Sequence, residues 1–139
     1  MAPEIEENIR AYFESKTEVI AVYLFGSYAA GKQHRTSDLD IGILLDGTAR
    51  DFFCEKRDAY LVELSRIVKK DIHPVILNSG SEELLRQVFL KGTCLQVNNE
   101  KKLTAYKMVM YARIAEFAYY RKQLQSGLIR KIMREGTIG

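Results

Sequence analysis

The chain has 139 residues, 47% of them hydrophobic and 28% charged, enough for one domain with a substantial core and too few for two. This composition excludes an intrinsically disordered chain, and no apolar run approaches the roughly 18–20 residues of a membrane span. The net charge of +3 hides an asymmetry: residues 100–139 hold nine Lys/Arg against three Asp/Glu, a net of +6, which leaves 12 against 15, or −3, for residues 1–99.

The first ten residues, "MAPEIEENIR", are acidic and lack the apolar centre of a signal peptide. Cys54 and Cys94 are too few for a disulfide framework and form no Cys-x-x-Cys knuckle. We expect both to be small buried or half-buried thiols, in a cytoplasmic protein. The basic C-terminal region reads as the solvated face of a helix, since it carries no recognisable nucleic-acid reading motif.

Ile5, Ile9, Tyr12 and Phe13 fall at helical spacing and predict a short first helix with Pro3 near its start. "VIAVYLF" at 19–25, stopped by Gly26, predicts a buried strand. "LDIGILL" at 39–45 predicts a second strand, ending at the turn Asp46-Gly47. Thr48-x-x-Asp51 resembles a capping box with Asp in place of Glu. It opens a long helix to about Lys70, with Phe53, Tyr60, Leu61, Leu64, Ile67 and Val68 as its apolar stripe.

"IHPVIL" at 72–77 predicts a third strand, which Pro74 directs to a sheet edge. A second capping box, Ser79-x-x-Glu82, begins a helix with Leu84, Leu85, Val88 and Phe89 inward, ended by Gly92. "TCLQV" is a fourth strand. From Lys101 to about Arg121, Leu103, Tyr106, Met110, Ile114 and Phe117 trace a final long helix, whose continuation past Gly127 the sequence leaves open. The alternation of strands and helices points to an α/β domain, a small mixed β-sheet with helices mainly on one side. The whole chain, 1–139, reads as one domain with a core at about 18–97 and a helical extension at about 100–134.

The chemistry concentrates in "GSYAAGKQHRTSDLD", residues 26–40. Gly26-x-x-x-x-Gly31-Lys32 is most of a Walker A loop, but Gln33 stands where Ser or Thr would ligate magnesium. Only six residues separate Lys32 from Leu39, which leaves no room for the phosphate-binding helix. The two aspartates offer a better reading. Strand alternation puts Asp38 and Asp40 on one face, about 7 Å apart at roughly 3.3 Å per residue, with Leu39, Ile41 and Ile43 on the other. Two such carboxylates repel and attract a cation. They suit magnesium, which takes oxygen ligands and keeps positions for water and phosphate. Gly26 lets backbone approach a ligand closely, and Ser27 can donate its N–H and hydroxyl to a phosphate.

Gly26-Ser27, ten residues, then Asp38-Leu39-Asp40 resembles the signature of the DNA polymerase β nucleotidyltransferase superfamily. "YLFGSYAAG", "SDLDIGILL", the "VILN" strand, the "LLRQVFLKG" helix and the Tyr-rich closing helix are similar to its minimal nucleotidyltransferases, over about residues 18–97. The resemblance implies a polymerase β-like fold, with Asp38 and Asp40 as metal ligands for Mg2+ carrying ATP. Gly26 and Ser27 would cradle the terminal phosphates. Lys32, His34 and Arg35 lie in the same loop, either within reach of phosphates or as a solvated basic loop.

The family places a third carboxylate on a later strand, as metal ligand and base for the acceptor. Aligning Leu77-Asn78 with the family's pattern puts His73 there, with Asp71 two residues earlier on the same face. Either can serve as the base; alternatively, the site is catalytically impaired. Many minimal nucleotidyltransferases are antitoxins that transfer AMP to a tyrosine of a HEPN-domain toxin. The resemblance therefore implies a protein partner of that class. On the closing helix Tyr106, Tyr111, Tyr119 and Tyr120 offer a contact surface, with core packing as the alternative, above all for Tyr106. Two other readings stay open, a binding module that neutralises its partner sterically and a small-molecule nucleotidyltransferase, and homo-oligomerisation is compatible with either.

Overall fold

The computed structural model describes residues 3–26 and 38–135. Helix α1 (Pro3–Glu14) precedes strands β1 (Val19–Phe25) and β2 (Leu39–Leu45). Helix α2 (Arg50–Val68), strand β3 (Ile72–Ile76) and a 3-10 turn (Leu77–Ser79) follow, then α3 (Glu82–Lys91), β4 (Thr93–Val97) and α4 (Glu100–Glu135). The sheet order is β3-β2-β1-β4, with β2–β3 parallel and the other pairs antiparallel. Pro74 lies on the edge strand β3, as its missing N–H requires. The α/β class, the mixed sheet and the long C-terminal helix are as expected.

The helices do not lie mainly on one side. Ile9 and Phe13 of α1 join Phe53, Tyr60, Leu64 and Val68 of α2 on the face that carries Leu39, Ile41 and Ile43. Leu85 and Val88 of α3 join Leu103 and Met110 of α4 on the other face, over Ile20, Phe25 and Leu44. The cause is visible in β1, which is apolar at every position and buried throughout. A strand without a polar face needs cover on both sides.

Four local expectations are corrected. Helix α2 begins at Arg50, so Thr48 stands one residue too early to cap it, and Ala49 holds that position without a side-chain bond. Ser81, not Ser79, caps α3 by accepting the Leu84 N–H at 3.2 Å. Leu61 and Ile67 are exposed because the inward face of α2 is narrower than the apolar stripe. Cys54 and Cys94 are exposed, one on the outer face of α2 and the other on edge strand β4. Helix α4 also runs through Gly127 to Glu135. One glycine costs a helix about 1 kcal/mol relative to alanine, which does not outweigh propagation on either side. Among the described residues, no helix is long and apolar enough to cross a membrane.

Asn78 ties the sheet to α4. Its Oδ1 accepts the Leu45 N–H at 2.8 Å, and its Nδ2 donates to the Leu45 carbonyl at 2.7 Å and to the Tyr106 hydroxyl at 3.3 Å. One side chain thus completes the backbone pairing at the end of β2 and holds Tyr106.

On the opposite face the buried Tyr60 donates its hydroxyl to Glu18 Oε2 at 2.7 Å, and Lys56 Nζ stands 3.7 Å from the same oxygen. Partial burial would raise the Glu18 carboxyl. The Tyr60 bond, a backbone hydrogen bond and the nearby lysines outweigh it, and the pKa lies below the ordinary glutamate value. Glu18 therefore stabilises the fold above the ordinary carboxylate range and loses that contribution as pH falls through its lowered pKa. Tyr60→Phe should destabilise by about 1 kcal/mol at pH 7. Urea unfolding at a series of pH values should show the gap from wild type narrowing below pH ~4.

Candidate active site

The described part of the site is set by the register of β2. Asp40 pairs across the sheet with Phe25 on one side and with His73 on the other. Leu39, Ile41 and Ile43 are fully buried on one face, which directs Asp40 to the opposite face. His73 Nδ1 lies 2.9 Å from Asp40 Oδ1. The imidazole is largely exposed, and the aspartate is about one quarter exposed. The pair sits at the mouth of the sheet, open to a ligand.

Gly26 closes the other side. Its φ of +75° lies in the left-handed region, which side-chain-bearing residues avoid. A Cβ built there would stand 2.1 Å from Asp40 Oδ2. The sequence marks this glycine as a place for a ligand to approach; its nearest neighbour is the Asp40 carboxylate itself. Asp40 thus has a hydrogen-bond partner at Oδ1, and its Oδ2 fills space that a side chain at residue 26 would take.

Asp38 is exposed and just precedes β2, as Asp71 just precedes β3. The Leu39 N–H donates to the Asp71 carbonyl at 2.9 Å, which joins the two strand entrances. Asp38 and Asp71 stand at these entrances, with Asp40 and His73 one strand period further in. Of the two candidates for the third position, His73 meets Asp40 through its imidazole, and Asp71 meets β2 through its backbone carbonyl. Ser27 and Lys32 lie outside the described residues, as do His34 and Arg35.

Among the described residues, no three His, Cys, Asp or Glu side chains are grouped to hold a metal ion by themselves. Asp38, just before β2, and Asp40, on it, offer carboxylate oxygens, a donor type that fits magnesium bound jointly with substrate phosphates and water. Asn78 entered the sequence reading only as an alignment anchor, and its bonds to Leu45 and Tyr106 were missed. An amide directly after an apolar strand was the available signal.

The family model "Polymerase beta, Nucleotidyltransferase" matches residues 7–101, and the chain belongs to this family. The protein adenylyltransferase MntA of Shewanella oneidensis is 36% identical over 99 residues, which cover 67% of this chain and 66% of the relative. The match therefore spans just under two thirds of that protein's length. A solved structure described as a toxin-antitoxin with AMP-PNP superposes with a TM-score of 0.67 at 25% identity, covering 92% of this chain and 98% of that one. A second, of a tri-AMPylated Shewanella oneidensis HEPN toxin in complex with MNT antitoxin, gives 0.61 at 21% identity, covering 93% and 96%. The latter likeness concerns the fold alone.

Gly26→Ala should break the arrangement at Asp40. The left-handed backbone would cost about 1–2 kcal/mol, and the new methyl would push the Asp40 carboxylate away from His73. Thermal melts and the imidazole nitrogen resonances of His73 should both shift; unchanged His73 resonances would mean that the carboxylate does not depend on the glycine.

Proposed function

We propose that the chain is a magnesium-dependent nucleotidyltransferase that transfers AMP from ATP to a hydroxyl of a partner protein, as the antitoxin of a HEPN toxin pair. The observation that carries this reading is the placing of Asp40 between Gly26 and His73, on the strand that Asp38 immediately precedes. Family membership, the adenylyltransferase relative and the toxin-antitoxin structure with AMP-PNP support it.

In this reading Asp38 and Asp40 would hold magnesium, which would supply neutralisation of the charge on the α-phosphate and the departing pyrophosphate. Gly26 leaves room for the Asp40 carboxylate, and Gly26 with Ser27 and Lys32 receives the terminal phosphates. The acceptor oxygen attacks the α-phosphorus, the bond to the bridging oxygen of the β-phosphate breaks, and pyrophosphate leaves. The acceptor proton goes to His73. With Nδ1–H donated to Asp40, the Nε2 lone pair faces outward, so the carboxylate fixes the tautomer that a base requires. Asp71 is the alternative base.

One observation favours a second reading. A neutral imidazole gives the site less negative charge than the family's third carboxylate, so loss of transfer with retention of binding would leave a steric antitoxin.

Mass spectrometry of the co-encoded partner after incubation with this chain, ATP and magnesium separates the two. We expect addition of one or more AMP units. Asp38→Asn with Asp40→Asn should abolish the addition, and His73→Ala should slow it by about a hundredfold, the scale of a lost general base. His73→Asp should retain it. Full activity in His73→Ala with loss in Asp71→Asn would move the base to Asp71. Tight complex formation without any mass gain would leave binding as the whole function.

A further inference from the structure

The apolar face of α4 continues beyond its contact with the rest of the fold. Leu103 and Met110 are buried, and Tyr106 and Ile114 pack against the same cluster. Phe117, Leu124 and Leu128 extend that face in helical phase, yet they are 44%, 76% and 59% exposed. From Ala115 to Glu135 no residue of the helix is buried. At about 1.5 Å per residue this stretch is about 30 Å long. Phe117, Ala118 and Arg121 still line a small cavity with Glu82, Glu83 and Arg86 of α3; beyond them the helix is largely exposed, and a helix without tertiary packing has little stability of its own.

Gly127 borders this face, and a Cβ added there would meet nothing within 4 Å. The glycine weakens the helix relative to alanine without relieving any contact among the described residues. Its absent side chain leaves room for a second backbone to pass close.

Charge selects what passes. Beyond Ile114 the helix carries Arg121, Lys122, Arg130, Lys131 and Arg134 against Glu116 and Glu135. Arg113, by contrast, is already paired with Glu82 of α3 at 3.0 Å. Arg121 and Lys131 flank the exposed stripe, and the Arg121 guanidinium lies 5.8 Å from the Phe117 ring centre. A second copy of this chain would set one cationic helix beside another, which is unfavourable.

We infer that the distal face of α4 docks an amphipathic helix of the acceptor protein, one whose apolar stripe is bordered by carboxylates. This rests on the proposed function for the partner's identity, but on α4 alone for the surface.

Calorimetric titration of the full chain with the co-encoded acceptor tests it, alongside light scattering of the chain alone. Leu124→Glu with Leu128→Glu, both at exposed positions, should weaken binding at least tenfold. Arg121→Glu with Lys131→Glu should weaken it and flatten its salt dependence. Asp38→Asn with Asp40→Asn should bind as wild type. Hydrogen exchange on the wild-type complex should slow across residues 117–131, whatever the variants do. Wild-type affinity in the leucine variant, or unprotected exchange, overturns the docking site while leaving AMP transfer intact. Tighter binding by the charge variant overturns the acidic partner, and self-association abolished by the leucine variant assigns the face to a second copy. Binding that is lost in the leucine variant without AMP transfer in wild type upholds the docking and defeats the enzyme. Absence of binding by wild type overturns both.

Discussion

The register of β2 between β1 and β3 is the constraint from which the rest follows. Its pairings set Asp40 opposite Phe25 and beside His73 while Leu39, Ile41 and Ile43 enter the core. A slip of one residue would drive both aspartates inward and three large apolar side chains outward. The apolar burial that stabilises the sheet is therefore the same force that aims the carboxylates. Leu77, against which a Cβ at Gly42 would collide at 3.0 Å, and the Asn78 amide on Leu45 hold the strand further along.

Much of this was legible in the sequence because it depends on period and punctuation. "VIAVYLF" and "LDIGILL" are strands by apolar run and terminal turn, and Pro74 located an edge. Asp38 and Asp40 were visible because carboxylates at alternate positions have no place in a strand core. The capping serine of α3 was misplaced by two residues, since Ser79 and Ser81 both precede glutamates and only the chain path decides between them. Helices on both faces could have been expected from β1 alone, an apolar strand with no polar alternation. What could not be read was any relation across distance: the meeting of His73 with Asp40, the crowding of Gly26 by a carboxylate, and the reach of Asn78 to Tyr106.

The two ends of the sheet carry different duties. At the mouth, Gly26, Asp40 and His73 are half-open and polar, while at the far end Asn78 joins β2 to the last helix. The helix keeps its core contacts through Met110 and Ile114, and beyond Ile114 none of its described residues is buried.

The parallel pairing of β2 with β3 carries a consequence in time. Parallel neighbours cannot be joined by a tight turn, so all of α2 must be synthesised between Asp40 and the histidine that contacts it, 33 positions later. The apolar cover for the site face comes later still, with Leu85, Val88, Leu103 and Met110. A growing chain therefore carries its aspartates long before it can fix them, with one side of β1 bare to water meanwhile.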